Sequence, residues 1–252
     1  MDQMKFFRKQ PLRIGPWLPN AVTLCNLFAG FFSILAVTDE RFELGAWLIF
    51  LAMIFDSLDG NIARALKQSN EFGRELDSLA DVVSFVVAPT LLAYKSWPSE
   101  LAPWGLIVVL LYLSAGTYRL ARFNIRPPVR AYFEGFPTPA GAVIIAMTVI
   151  AYQKGEWLGI VHRMVDHGIL MVAIGFLMVS SVPYPKISGM RFSKWQLLFY
   201  VGAIVFSLGF IVINFETAIA LLFLSFLIVC PILFHFQKIA DAKAERIALE
   251  KH

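Results

Sequence analysis

Charge is scarce in this chain. Of 252 residues, 16% are charged and 58% are hydrophobic, where a soluble domain carries about 25% charge and about 45–50% apolar residues. There are two cysteines, Cys25 and Cys230, both inside apolar runs. A disulfide scaffold is thereby excluded, and both thiols are expected to be buried packing residues. The four histidines have no partner at metal-ligand spacing. No long polar stretch interrupts the chain apart from its two ends, which leaves no room for a soluble domain or a disordered linker. The 22 basic residues are dispersed, so the net charge of +4 gives no support to nucleic-acid binding.

What is present is a series of apolar runs. A helix needs about 20 such residues to cross a bilayer. Eight candidate spans fall near residues 20–37, 44–64, 77–95, 103–123, 138–153, 167–182, 196–213 and 217–236. With the N-terminus inside, eighteen lysines and arginines fall in cytoplasmic segments, and four (Arg41, Lys95, Lys154 and Arg163) fall outside. That asymmetry follows the positive-inside rule. The expected fold is an all-α, polytopic membrane bundle of about eight helices with both termini cytoplasmic. It forms one membrane domain, with a core at about 17–153 and further spans over 167–236.

Against this background four acids stand out. Asp56, Asp59, Asp77 and Asp81 lie in the cytoplasmic halves of the second and third spans. A single carboxylate at a helix centre costs about 2.5–3.5 kcal/mol on insertion scales, and four together repel one another. Asp56 and Asp59 are three apart and Asp77 and Asp81 four apart, so each pair shares a helix face. Two spans joined by a short loop are antiparallel neighbours, and their acidic faces can converge. Arg64 and Arg74 are too few to balance four carboxylates. Hard oxygen donors suit Mg²⁺ or Mn²⁺, with Ca²⁺ able to occupy the same place. Two bridged ions would clamp a phosphoryl group during displacement. Ion pairing between helices is the simpler alternative, and a cation pathway is another. The outer halves of the spans are almost wholly apolar, which disfavours a pathway.

The full run is Asp56-x-x-Asp59-Gly60-x-x-Ala63-Arg64, eight residues, then Gly73-x-x-x-Asp77-x-x-x-Asp81. It resembles the signature of the CDP-alcohol phosphatidyltransferase family at all eight fixed positions. The resemblance implies a membrane enzyme, usually dimeric, that moves a phosphatidyl-type group from a CDP-linked donor to an alcohol and releases CMP at the cytoplasmic face. It implies that Asp56, Asp59, Asp77 and Asp81 hold two divalent ions and that Asp81 is also the general base. Gly60, Ala63, Arg64 and Gly73 would line the CDP site. The segment from Pro19 to Asn26 resembles the family's first span, where Asn20 and Thr23 would assist nucleotide binding; helix capping and interhelical bonding are equally open roles for these two.

Tyr118-Arg119-Leu-Ala-Arg122-Phe-Asn124 and the run from Glu134 to Gly141 are similar to the serine-accepting branch of the family. That similarity implies CDP-diacylglycerol and L-serine as substrates, with Arg119, Arg122 and Asn124 at the acceptor. Arg119 and Arg122, three apart on a helix, could form a fork for a carboxylate. A phosphate would suit such a fork as well, so glycerol 3-phosphate and inositol phosphate stay open as acceptors on chemistry alone.

Overall fold

In a computed structural model of the chain, residues 17–66, 71–96, 102–125, 132–153 and 167–185 are described. They form seven α-helices and one short ribbon. The helices are α1 (Trp17–Thr38), α2 (Phe42–Ala65), α3 (Glu71–Asp81), α4 (Ala88–Ser96), α5 (Ala102–Ile125), α6 (Thr138–Gln153) and α7 (His167–Val179). The candidate spans near 196–213 and 217–236, together with Cys230, lie outside the described residues. Three helical stretches are long and apolar enough to cross a membrane: Trp17–Thr38, Glu71–Ser96 and Gly105–Ile125. α6 and α7 are shorter and apolar.

α1 and α2 make an antiparallel hairpin. The chain reverses through Asp39–Arg41, with Glu40 at φ 59° and the Arg41 amide bonded to the Ala36 carbonyl at 2.8 Å. Ser33 Oγ then donates to the Gly45 carbonyl at 2.8 Å and ties the two helices together. α6 is buried on every side from Ala140 to Ile150, as an apolar helix without a polar stripe must be. One core cluster joins α1, α2, α4 and α6 through Ala29, Ile49, Leu92 and Met147. A second joins α4, α5, α6 and α7 through Ala93, Tyr112, Ile144 and Ile174.

The third span departs from one regular helix. Between α3 and α4, Val82–Val87 form a π-helical turn. A π turn leaves a carbonyl without its usual partner, and such turns recur at functional sites. Here Tyr112 Oη donates to the Phe85 carbonyl at 3.1 Å, and Ser84 Oγ donates to the Asn26 carbonyl of α1 at 2.9 Å. α1 crosses this turn at Gly30, where an added Cβ would lie 2.3 Å from Ser84 Oγ and 2.7 Å from Ser84 Cα.

An antiparallel ribbon of β1 (Tyr132–Glu134) and β2 (Pro183–Pro185) adds the one strand pairing among the described residues, in the register Phe133 to Tyr184. An all-helical reading did not foresee it. The chain leaves β1 through Gly135 at φ 81°. Its amide bonds Val182 O at 2.9 Å, and the Phe136 amide bonds Leu177 O at 3.0 Å. The start of α6 is thereby fastened to the end of α7. Cys25 is a correction: it is exposed on the outer side of α1, not buried. Its neighbours Phe28 and Phe32 are exposed there too, so this face of α1 lies away from the core and an apolar sequence context did not imply burial.

Candidate metal and transfer site

The C-terminal part of α2 carries Asp56 and Asp59, and α3 carries Asp77 and Asp81. Both α2 and α3 pack against α1. Carboxylate oxygens of Asp56, Asp59 and Asp77 then lie within 4.8 Å of one another. Asp77 Oδ1 is buried and has no hydrogen-bond partner. No lysine or arginine among the described residues forms an ion pair with any of the four aspartates, the ion pair found being the exposed Arg74–Glu75 contact. An ion-paired structural role is therefore not what the fold builds. Three convergent hard oxygen donors with a vacant buried lone pair fit a divalent cation.

Asp81 is placed differently from the other three. It is buried and faces Asp56 and Asp77 electrostatically, but it is outside the group of oxygens within 4.8 Å. Its Oδ1 accepts a 3.2 Å bond from Asn26 Nδ2 of α1. Thr23, one turn earlier on α1, bonds Asp59 Oδ2 at 2.8 Å and also reaches the Pro19 carbonyl at 3.1 Å. Its single hydroxyl proton must be shared between these two acceptors. α1 thus holds one carboxylate of each acidic helix.

The other motif residues line the approach. Gly60 faces Arg64, whose guanidinium would stand 3.5 Å from an added Cβ; the missing side chain keeps that space open. Arg64 is exposed, bonds Asn61 Oδ1 at 3.0 Å and interacts electrostatically with Asp56 and Asp59. Ala63, Gly73 and Asn20 are half-buried.

The acceptor residues inferred from the sequence bond to three different elements. Arg119 is buried, and its Nη1 donates to Thr138 Oγ1 at the start of α6 at 2.6 Å. Its Nε is buried without a partner, and Asp81 and Asp56 are its acidic neighbours. Arg122, its electrostatic neighbour, reaches a different element. Its Nη1 bonds Val179 O at 2.8 Å, and its Nη2 bonds Met178 O at 3.2 Å and Ser180 O at 3.1 Å. The last carbonyls of a helix have no intrahelical donors, and a cation is favoured there, so α7 claims this guanidinium. Asn124 bridges to α3, accepting from Ser78 Oγ at 2.9 Å and donating to Glu75 Oε2 at 3.4 Å. Asn26 and Thr138 lie within the family-like segments Pro19–Asn26 and Glu134–Gly141, but sequence reasoning assigns neither a role. A polar residue one turn beyond Thr23 on a lipid-length helix is the signal for the first. An open cleft of about 540 Å³ lined by Glu40, Arg41 and Trp47 lies at the far end of α2 and includes none of these residues.

Membrane-length helices folded around a partly buried carboxylate cluster that could hold a metal ion define an integral-membrane type of protein with a candidate metal site. The family model for CDP-alcohol phosphatidyltransferases matches residues 16–184, and the chain belongs to that family. It is 36% identical over 191 residues to a CDP-diacylglycerol–serine O-phosphatidyltransferase of Helicobacter pylori, covering 75% of this chain and 78% of the relative. It is 38% identical over 169 residues to a protein of the same name from Methanocaldococcus jannaschii, covering 67% and 74%. An archaetidylserine synthase of Methanothermobacter thermautotrophicus is 34% identical over 175 residues, covering 69% and 71%.

Proposed function

We propose that the enzyme transfers the phosphatidyl group of CDP-diacylglycerol to the hydroxyl of L-serine, giving phosphatidylserine and CMP. The observation that carries this reading is the buried Arg119 guanidinium, with a vacant Nε, beside the aspartate cluster. A carboxylate-bearing acceptor satisfies that donor; the names of the relatives above favour serine over glycerol 3-phosphate or inositol phosphate.

Asp56, Asp59 and Asp77, with Asp81 adjoining, would hold Mg²⁺ or Mn²⁺. A divalent ion bound there would supply charge neutralisation for the donor's diphosphate and the CMP leaving group. Arg64, at the exposed end of α2, meets the diphosphate as a fixed cation, and Gly60, Ala63 and Gly73 let it approach. Asn20, on α1 one turn before Thr23, would assist at the nucleotide. Thr23 holds Asp59 in place. Asp81, fixed by Asn26, takes the serine hydroxyl proton as its oxygen attacks the phosphorus bearing diacylglycerol. The phosphorus–oxygen bond to CMP breaks, and the lipid keeps a phosphodiester. Arg119 binds the serine carboxylate; Arg122 and Asn124 act on that pocket from behind, by fixing α7 and α3.

The lysine and arginine asymmetry supports eight spans, cytoplasmic termini and a site facing the cytoplasm in the cytoplasmic membrane. The core at 17–153 would be supplemented by the spans of 167–236, and the active form would be a homodimer. Purified protein given CDP-diacylglycerol, Mn²⁺ and labelled serine should release CMP and label lipid in equal amounts. EDTA should stop both, and added Mn²⁺ should restore them. Asp56→Asn and Asp77→Asn should each lower CMP release by at least about 10²–10³-fold while the protein still inserts in the membrane. CMP formed with glycerol 3-phosphate and not with serine would overturn the acceptor, and no CMP with any acceptor would overturn the reaction.

A further inference from the structure

Asn26 is fully buried in α1, inside the membrane-length stretch. Its amide is half used. Nδ2 donates to Asp81 Oδ1 at 3.2 Å, while Oδ1 is buried with no partner. A buried acceptor left unmade costs about 1–3 kcal/mol, so such groups call for an explanation. Three side-chain atoms among the described residues are in this condition: Asn26 Oδ1, Asp77 Oδ1 and Arg119 Nε. All three belong to one neighbourhood. Asn26 bonds Asp81, and Asp77 and Arg119 are each electrostatic neighbours of Asp81. Asp77 Oδ1 is accounted for by the cation that the aspartate cluster fits. A neutral acceptor bonded through its amide to Asp81 and a cationic donor in the field of Asp81 remain.

We propose that Asn26 is a specificity-determining residue whose Oδ1 receives the α-ammonium of the acceptor. The inference rests on an amino-acid acceptor, as argued above. Such a molecule presents three groups: a carboxylate, an ammonium and a hydroxyl. Arg119 Nε is a donor that needs an anion, Asn26 Oδ1 an acceptor that needs an N–H, and Asp81 a base that needs the hydroxyl. An amide oxygen suits an ammonium here because it adds no further negative charge to a site that already holds four carboxylates. The rigid amide also keeps Oδ1 within one side-chain width of Asp81, so the ammonium it binds brings the hydroxyl of the same small molecule to the base. An acceptor lacking the ammonium leaves Oδ1 unpaired, and a site built to pair a polar group rejects analogues that lack it.

The test compares L-alanine and propionate as competitive inhibitors against L-serine. Both carry the carboxylate, neither has the hydroxyl, and only alanine has the ammonium. In the unaltered enzyme alanine should inhibit at least about 10-fold more strongly than propionate, the factor that one hydrogen bond to a charged group supplies. In Asn26→Leu the two should inhibit within about 2-fold of each other. This ratio isolates the ammonium, because any effect passing through Asp81 lowers turnover with every acceptor alike. Should turnover in Asn26→Leu be too slow, the same ratio is read from the shift in melting temperature that each compound gives. Equal inhibition by alanine and propionate in the unaltered enzyme overturns the proposal without any variant. So does a ratio unchanged in Asn26→Leu, which leaves Asn26 as a positioning residue for Asp81. An enzyme that uses glycerol 3-phosphate and ignores serine overturns the amino-acid reading itself, and is recognised by CMP release before any inhibitor is added.

Discussion

At the scale of single residues, the site is a problem of charge placed where water is scarce. Four carboxylates reach a membrane-length bundle with no ion pair among the described residues to balance them, and two of them, Asp59 and Asp81, are held by uncharged donors from α1. Thr23 on Asp59 is the shorter of these bonds. A residue that orients a metal-binding carboxylate tunes affinity for the ion. Thr23→Val should therefore raise the Mn²⁺ concentration for half-maximal activity by about 10-fold. The loss of stability in detergent should stay near 0.6 kcal/mol, the mean for one interhelical bond in a membrane protein. Activity titrated against Mn²⁺, alongside thermal melting, checks both. An unchanged Mn²⁺ requirement would reduce Thr23 to a packing contact.

At the scale of elements, the site depends on two irregularities. The π turn at Val82–Val87 follows Asp81 directly, and Gly30, Ser84 and Tyr112 brace it. The second is the turn at Gly135, which fastens the N-terminus of α6, and with it Thr138 and Arg119, to the end of α7. A side chain at Gly135 would need φ 81° and would put Cβ 2.3 Å from the Met178 carbonyl. Gly135→Ala should therefore cost about 1–3 kcal/mol from the backbone alone, read as a lower melting temperature. Because Arg119 shares this framework, the KM for serine should rise more than the KM for CDP-diacylglycerol. An equal rise in both would place the damage in the bundle as a whole.

At the scale of the whole molecule, the prediction concerns sidedness. In a background lacking Cys25 and Cys230, Arg41→Cys should react with a membrane-impermeant maleimide added outside intact cells. Leu66→Cys should react only after the membrane is opened. The reverse pattern would invert the topology drawn from the basic residues and place the aspartates on the outer face.

The sequence by itself determined the helical, apolar character, the positions of six helical segments and the residues of the acidic motif. These are local or composition-level quantities: hydropathy over a helix length, and spacing of three or four along it. The sequence boundaries at 138–153 and those of α6 coincide, because an all-apolar segment flanked by proline and glutamine has clear ends. Tertiary structure decided what spacing cannot carry. It drew three of the four aspartates into one oxygen cluster and gave the fourth to Asn26, because α1 packs against both acidic helices. It set Arg119 against Thr138 and Arg122, its neighbour on the same helix, on the open carbonyls of α7. It exposed Cys25, whose flanking sequence is as apolar as that of any core residue. In each case the deciding interaction joins residues remote in the chain, and its energy exists only once the helices have packed.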